Sequence, residues 1–309
     1  GAWRLDREAL FQNENIDLLK LRASYGQMGN SDVGSYYPYQ AGYTIGYNNA
    51  SASGAVLTSL GSPDLTWETQ KPFDIGVDFS FLSGRIAGTF DYYYRNSDGL
   101  LFSVPQPYHN GGTTSGSFSI NKNVGSMTNK GIEVTVTGGL VRKSDFRWDL
   151  TLNLTTLKNT ITRMPEETPE IVGSPYKREE GHSIYDYFTR TFYGVDEATG
   201  RALYLGLNKD VEYDPDNANH KLVDRGNGVV DTVTFDHNSA RQDWIGKSAL
   251  APVFGSIVNS FSYKGFDLGF VLTYSLGGYK YDSQYAGLMS SGPSNGSNLH
   301  RDLFNAWKN

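Results

Sequence analysis

The 309-residue chain has no cysteine. Its absence excludes disulfides and thiolate metal centres, and it is compatible with life outside the cytoplasm. Also missing is any run of about 18 apolar residues, so a helical membrane span is excluded. A β-barrel is not, because barrel strands hide their apolar residues in alternation. The mean hydropathy of -0.45 is for that reason no argument for solubility. Nor is there a basic surplus: the formal net charge is -6, with basic residues scattered among acidic ones, which argues against a nucleic-acid surface. No initiating Met or signal peptide is seen, and Gly1-Ala2-Trp3-Arg4-Leu5 opens in mid-pattern. The last residues follow an apparent helical turn at 303–307, and the whole reads as a piece of a longer polypeptide.

What the chain has in quantity is glycine, 35 residues, and tyrosine, 21 residues. Part of the phenylalanine falls at every second position. Between Leu65 and Asp98, Phe73, Ile75, Val77, Phe79 and Phe81 alternate with Asp74, Gly76, Asp78 and Ser80. After the turn Leu82-Ser83-Gly84-Arg85, Ile86, Gly88, Phe90, Tyr92 and Tyr94 alternate with Ala87, Thr89, Asp91, Tyr93 and Arg95. Successive strand side chains point to opposite faces, so this is an antiparallel hairpin with one oily and one charged face. Each arm alternates for about nine residues, enough to cross an outer-membrane apolar band of roughly 25 Å when tilted. Trp67 and Tyr94 mark the interface away from the turn, as an aromatic girdle does, and Lys71 is expected to snorkel.

The same pattern recurs in an arm at 18–29, in a hairpin at 127–164 turning at 142–145, and in a hairpin at 252–280 turning at 263–265. The connections at 30–64, 99–124, 165–251 and 281–309 are long and read as loops. Tight turns on one rim and large loops on the other are the asymmetry of an outer-membrane barrel. The predicted fold class is all-β, one partial antiparallel transmembrane barrel over 1–309 with 165–251 as a large extracellular loop. The competing reading is a soluble secreted β-rich protein that binds or degrades glycans.

Chemistry-bearing residues are sparse. Tyr36, Tyr37, Tyr39, Tyr108, His109, Tyr185, Tyr187 and Phe188 fall in segments expected outside the membrane, where flat rings suit stacking on sugar faces or packing on a partner. Asp74, Asp78, Asp91, Arg95 and Glu133 are expected to face a lumen and to pair there. A charge change at Asp78 is accordingly expected to be tolerated and an arginine at Val77 is not. Glu166, Glu167, Glu170, Glu179 and Glu180 lack a fixed separation for paired-carboxylate catalysis and read as a solvated loop. Asp214, Asp216, Asn217 and Asn219, then Asp224, Asn227 and Asp231, are oxygen-rich enough to suggest calcium, but the EF-hand spacing is broken at Gly226-Asn227-Gly228. The five histidines, His109, His182, His220, His237 and His300, are isolated and lack metal-ligand spacing. No catalytic residue and no cofactor is expected, calcium aside.

Five segments also carry a family resemblance. LKLRASYGQMGN at 19–30, PDLTWET at 63–69, FDIGVDFSFLSGRIAGTFDYYYR at 73–95, NVGSMTNKGIEVTV at 123–136 and YKGFDLGFVLTYSLGGYKYD at 263–282 resemble the C-terminal barrel region of SusC/RagA-type TonB-dependent transporters. The resemblance covers nearly the whole chain except 165–243. It implies a barrel of about twenty-two strands, of which this chain supplies about seven and a fraction, in the bacterial outer membrane. It further implies import of an oligosaccharide or peptide with a SusD-like surface lipoprotein as lid, driven by TonB through a segment outside this chain, as is the plug.

Overall fold

Alternation becomes strand along most of the chain. The computed structural model describes all residues except 33–35, 49, 107–111, 114–115, 118, 167, 291–297 and 308–309. Strand makes up 58% of the chain and helix 5%, which settles the all-β class. The strands used below are β1 (Ala2–Arg4), β2 (Ile16–Tyr25), β3 (Glu68–Phe81), β4 (Ile86–Pro105), β5 (Ser119–Arg142), β6 (Phe146–Thr156), β7 (Asp186–Arg190), β8 (Phe192–Val195), β9 (Ala202–Leu205), β10 (His220–Gly226), β11 (Val229–Thr234), β12 (Gln242–Ser248), β13 (Val253–Tyr263) and β14 (Phe266–Leu276). Two compact units emerge: residues 1–171, 178–184 and 250–277 form the first, and 172–177, 185–249 and 278–309 the second.

The first unit is an antiparallel sheet in the order β1-β2-β3-β4-β5-β6-β13-β14. Its register aligns side chains of one kind across successive strands. Leu21, Val77, Phe90, Val134 and Leu154 form one row; Leu19, Phe79, Gly88, Val136, Leu152, Ile257 and Leu272 form the next. On the other face, Lys20, Asp78, Thr89, Thr135, Asn153, Ser256 and Thr273 align. A soluble sandwich would cover the oily face with a second sheet. Here Phe73, Ile75, Leu152 and Phe90 are 39% to 44% exposed, so the face needs an apolar surrounding.

Short connections are confined to one end. Leu82, Ser83 and Gly84 all take left-handed φ between β3 and β4, and Lys264 and Gly265 do the same in the two-residue turn between β13 and β14, as the twist of a tight hairpin demands. Aromatic rings crowd this end: Trp148 stacks on Phe261 at 5.5 Å, and Phe146 lies 6.4 Å from Phe261. The Trp148 indole donates to Asn259 Oδ1 at 3.2 Å, satisfying a polar group on the apolar face.

Stretches expected as loops contain strands. β4 and β5 run for 20 and 24 residues, about twice what crossing a bilayer takes, and occupy much of 99–124. At their far end Phe102, Val104, Ile161 and Met164 form a buried cluster flanked by Leu100, Ile171 and Ile184. Apolar residues are thus buried in this extension and exposed along the sheet. Strands also occur within 165–251, most of which belongs to the second unit. There β8, β9, β11 and β10 make a sheet in that order, and β7 pairs with β12. Its strands are four to seven residues long, too short for alternation to stand out.

Candidate functional site

On the polar face of the first unit, strand register decides which charges meet. Arg22 on β2 lies opposite Gly76 on β3, which lies opposite Asp91 on β4. With no side chain at Gly76, the Arg22 guanidinium reaches across a whole strand: Nη2 donates to Asp91 Oδ1 at 2.8 Å while Nε donates to Asp78 Oδ1 at 2.7 Å. A Cβ at Gly76 would stand 1.9 Å from Asp91 Oδ1. Lys20 adds a second cation 3.3 Å from Asp78. Glu133 is directly opposite Asp91, a like-charge pair that destabilises a ladder and that Arg22 offsets. Asp74 is within 3.5 Å of Ser24 Oγ, and Arg95 lies 5.1 Å over the Tyr93 ring.

All five residues expected to face a lumen share this face, but Asp78 is not free to change. Reversing its charge would set a third cation beside Lys20 and Arg22. Asp78→Asn is expected to cost about 1 kcal/mol, the partly buried pair being discounted for solvent screening. A lower thermal midpoint of the detergent-solubilised full-length protein would register it. Lys71, expected to snorkel, instead forms an ion pair with Asp98 at 2.7 Å.

The second unit contains a cleft of about 560 Å³. β7 builds one wall, because alternation puts Phe188 and Arg190 on one side, paired with Trp244 and Gln242 of β12. The Lys177 ammonium sits 4.9 Å over the Phe188 ring and 5.9 Å from that of Trp244, which are edge to face at 5.1 Å. Tyr187 is only 6% exposed. Its hydroxyl donates to the Tyr279 carbonyl at 3.2 Å and accepts from the Tyr281 amide at 3.0 Å, so this candidate also holds the 279–281 wall in place. Phe192, Tyr204, Ile245 and Tyr281 complete the apolar lining, Arg190, Lys247 and Lys280 supply its charge, and His237 lines it as well. Of these, sequence reasoning singled out only Tyr187 and Phe188. Nothing local pointed to Arg190, and Tyr279 and Tyr281 arrive from about ninety residues further along.

None of the other described candidate aromatics is in the cleft lining. Tyr185 packs edge to face on Tyr176 at 5.6 Å. Tyr36 is 95% exposed, and Tyr37 and Tyr39 are edge to face at 6.4 Å. Tyr108, His109 and Glu167 lie outside the described residues. Glu180 accepts from the Met164 amide at 2.7 Å. In the oxygen-rich loop, Asp214 Oδ1 accepts from the Asp216 amide and Asn217 Oδ1 from the Asn219 amide, while Asn219 Oδ1 accepts from Arg201. Gly226-Asn227-Gly228, all left-handed, is the β10–β11 hairpin turn. Among the described residues no three His, Asp or Glu side chains converge as a metal site.

Between β8 and β9, Asp196 is buried. A hydrogen bond from the Lys221 ammonium, then one from Thr199, hold its carboxyl below the usual carboxylate range. A depressed folded-state value means that the bond stabilises fully above the unfolded value of about 3.9 and is lost as pH falls through the lower folded one. Hydrogen-exchange protection of β8 and β9 amides is expected to hold at pH 5 and fall at pH 3. Asp196→Asn should flatten that dependence.

Three comparisons bear on this arrangement. The sequence model of the family described as TonB dependent receptor-like, beta-barrel, matches residues 11–178. The chain is 28% identical over 299 residues to the TonB-dependent receptor SusC of Bacteroides thetaiotaomicron, covering 91% of this chain and 27% of SusC. It is 28% identical over 323 residues to the TonB-dependent receptor P3 of Formosa agariphila, covering 99% of this chain and 30% of that protein. The chain therefore spans under a third of the length of these relatives. Among solved structures, that of the RagAB peptide transporter superposes with a TM-score of 0.79 over 100% of this chain and 32% of the other, at 24% identity, a likeness of fold.

Proposed function

The chain belongs to the TonB dependent receptor-like β-barrel family, and from that premise we propose that, as a SusC/RagA-type member, it forms part of the wall and mouth of an outer-membrane nutrient importer. The observation that carries this reading is the two-sidedness of the sheet: oily rows exposed on one face and an ionic, hydroxyl-rich ladder on the other, in register through successive strands. Lipid takes the first face, and the second becomes lumen. β1 and β14 are edges at the two ends of the sheet order. In lipid each unpaired backbone group costs several kcal/mol, so those edges are joined by further strands of a closed barrel.

Cargo is an oligosaccharide or a peptide, captured outside and admitted when the plug is remodelled by TonB. A SusD-like lipoprotein covers the mouth. That the structurally similar RagAB is a peptide transporter supports a peptide. No bond is made or broken, and no cofactor enters the proposal. The soluble glycan-active alternative is disfavoured by the exposed oily face.

Deleting the gene and measuring uptake of oligosaccharide and peptide mixtures tests the proposal. Loss of uptake of one class supports it; unchanged uptake of both overturns it. Partition of the full-length protein into the aqueous phase without detergent would contradict the barrel itself. Gentle extraction should recover a lipoprotein in stoichiometric amount, and its absence would remove the lid.

A further inference from the structure

The cleft in the second unit is unusual in its charge. The chain as a whole carries a net charge of -6, yet the cleft lining includes Arg190, Lys247 and Lys280, with His237, and no acidic side chain among the described residues. Arg190 Nε is buried and donates to no acceptor. A buried donor left unmade costs free energy that a bound acceptor recovers. Asp243, on the neighbouring strand, is already held by Arg241 at 2.6 Å. Lys247 donates to the Tyr279 hydroxyl at 2.6 Å and keeps further donors for a ligand. Phe192 and Tyr281, 60% and 62% exposed, offer apolar surface beside these cations.

We propose that this cleft binds the carboxylate of the captured nutrient, with Arg190 as the anchor. The guanidinium is a planar fork of donors that matches a carboxylate, and a charge-assisted bond in a partly desolvated cleft is stronger than a neutral one. The exposed rings hold the uncharged remainder of the ligand. Both proposed cargo classes carry negative charge in this form, as a uronate in an oligosaccharide or as an acidic side chain or C-terminus in a peptide. The inference rests on the capture reading above and narrows it to acidic cargo.

Binding to the detergent-solubilised full-length transporter, measured by titration calorimetry, tests it with two matched pairs: an oligogalacturonide against its methyl ester, and the peptide Glu-Phe-Glu against Gln-Phe-Gln amide. One acid is expected to bind at least about tenfold more tightly than its neutral partner, the scale of one charged hydrogen bond. Which pair discriminates identifies the source. Arg190→Gln should abolish the preference, Arg190→Lys should restore part of it, and Phe192→Ala should weaken acid and neutral alike. Equal thermal midpoints for the variants show that they fold. A preference that survives Arg190→Gln, or no preference in either pair, overturns the proposal. If neutral forms then still bind, capture stands and only the acidic specificity falls; if nothing binds, both fall.

Discussion

Val77→Arg is expected to cost about 2–4 kcal/mol of barrel stability, the scale for an arginine facing lipid near the bilayer midplane. Val77 lies midway along the part of β3 whose oily side chains run from Phe73 to Phe81, in the row Leu21, Val77, Phe90, Val134. No acidic side chain shares that row, so the guanidinium can only snorkel along strands whose neighbours are oily too. The lumen-side comparison is Ser24→Arg. Ser24 is exposed on the polar face one register step from Arg22 and within 3.5 Å of Asp74, and its replacement is expected to stay within about 0.5 kcal/mol. Folded full-length protein in outer-membrane fractions, read by resistance to unfolding before gel electrophoresis, should fall sharply for the first variant and not the second. Equal losses would mean that the faces are assigned wrongly.

Gly131→Val should cost about 1–3 kcal/mol by overpacking. Gly131 on β5 pairs with Tyr93 on β4, and the tyrosine ring lies over it so that its hydroxyl donates to the Thr156 carbonyl at 2.8 Å. A Cβ at Gly131 would stand 1.9 Å from that carbonyl oxygen and 2.7 Å from the tyrosine hydroxyl. The carbonyl is backbone and cannot swing away, so β5 or β6 must shift and the bond is lost with it. The same device recurs where Tyr274 covers its partner Gly255 and donates to the Asn153 carbonyl at 2.8 Å. Covering a strand glycine with an aromatic from the next strand pins register. Tyr93→Phe, which keeps the ring, should lose only about 1 kcal/mol. Thermal unfolding of the solubilised full-length protein separates the two, and a Gly131→Val midpoint equal to the parent would refute the packing argument.

Much of this is legible in the sequence. Alternation such as Phe73, Ile75, Val77 against Asp74, Gly76, Asp78 is written residue by residue, and a strand has no option but to sort it onto two faces. The turns at 82–85 and 263–265 were equally plain, because left-handed backbone at Gly84 and Gly265 leaves a local signature. The extension of β4 and β5 was not, since polar, glycine-rich strands outside lipid carry no alternation. Of the cleft, Tyr187 and Phe188 were visible as loop aromatics. Arg190 was passed over because an isolated arginine in a polar stretch carries no signal until its neighbours are known.

The residues alone determined the all-β class, the facing of each long strand and the separation of tight turns from long connections, because each follows from chemistry repeated every two positions. Only tertiary structure decided that Arg22 bridges Asp78 and Asp91 across Gly76, that Tyr187 fastens a segment about ninety residues further on, and that cations gather in a cleft with no acidic side chain among the described residues. Those are contacts between residues far apart in sequence, and what brings them together is set by the whole fold and not by any one segment.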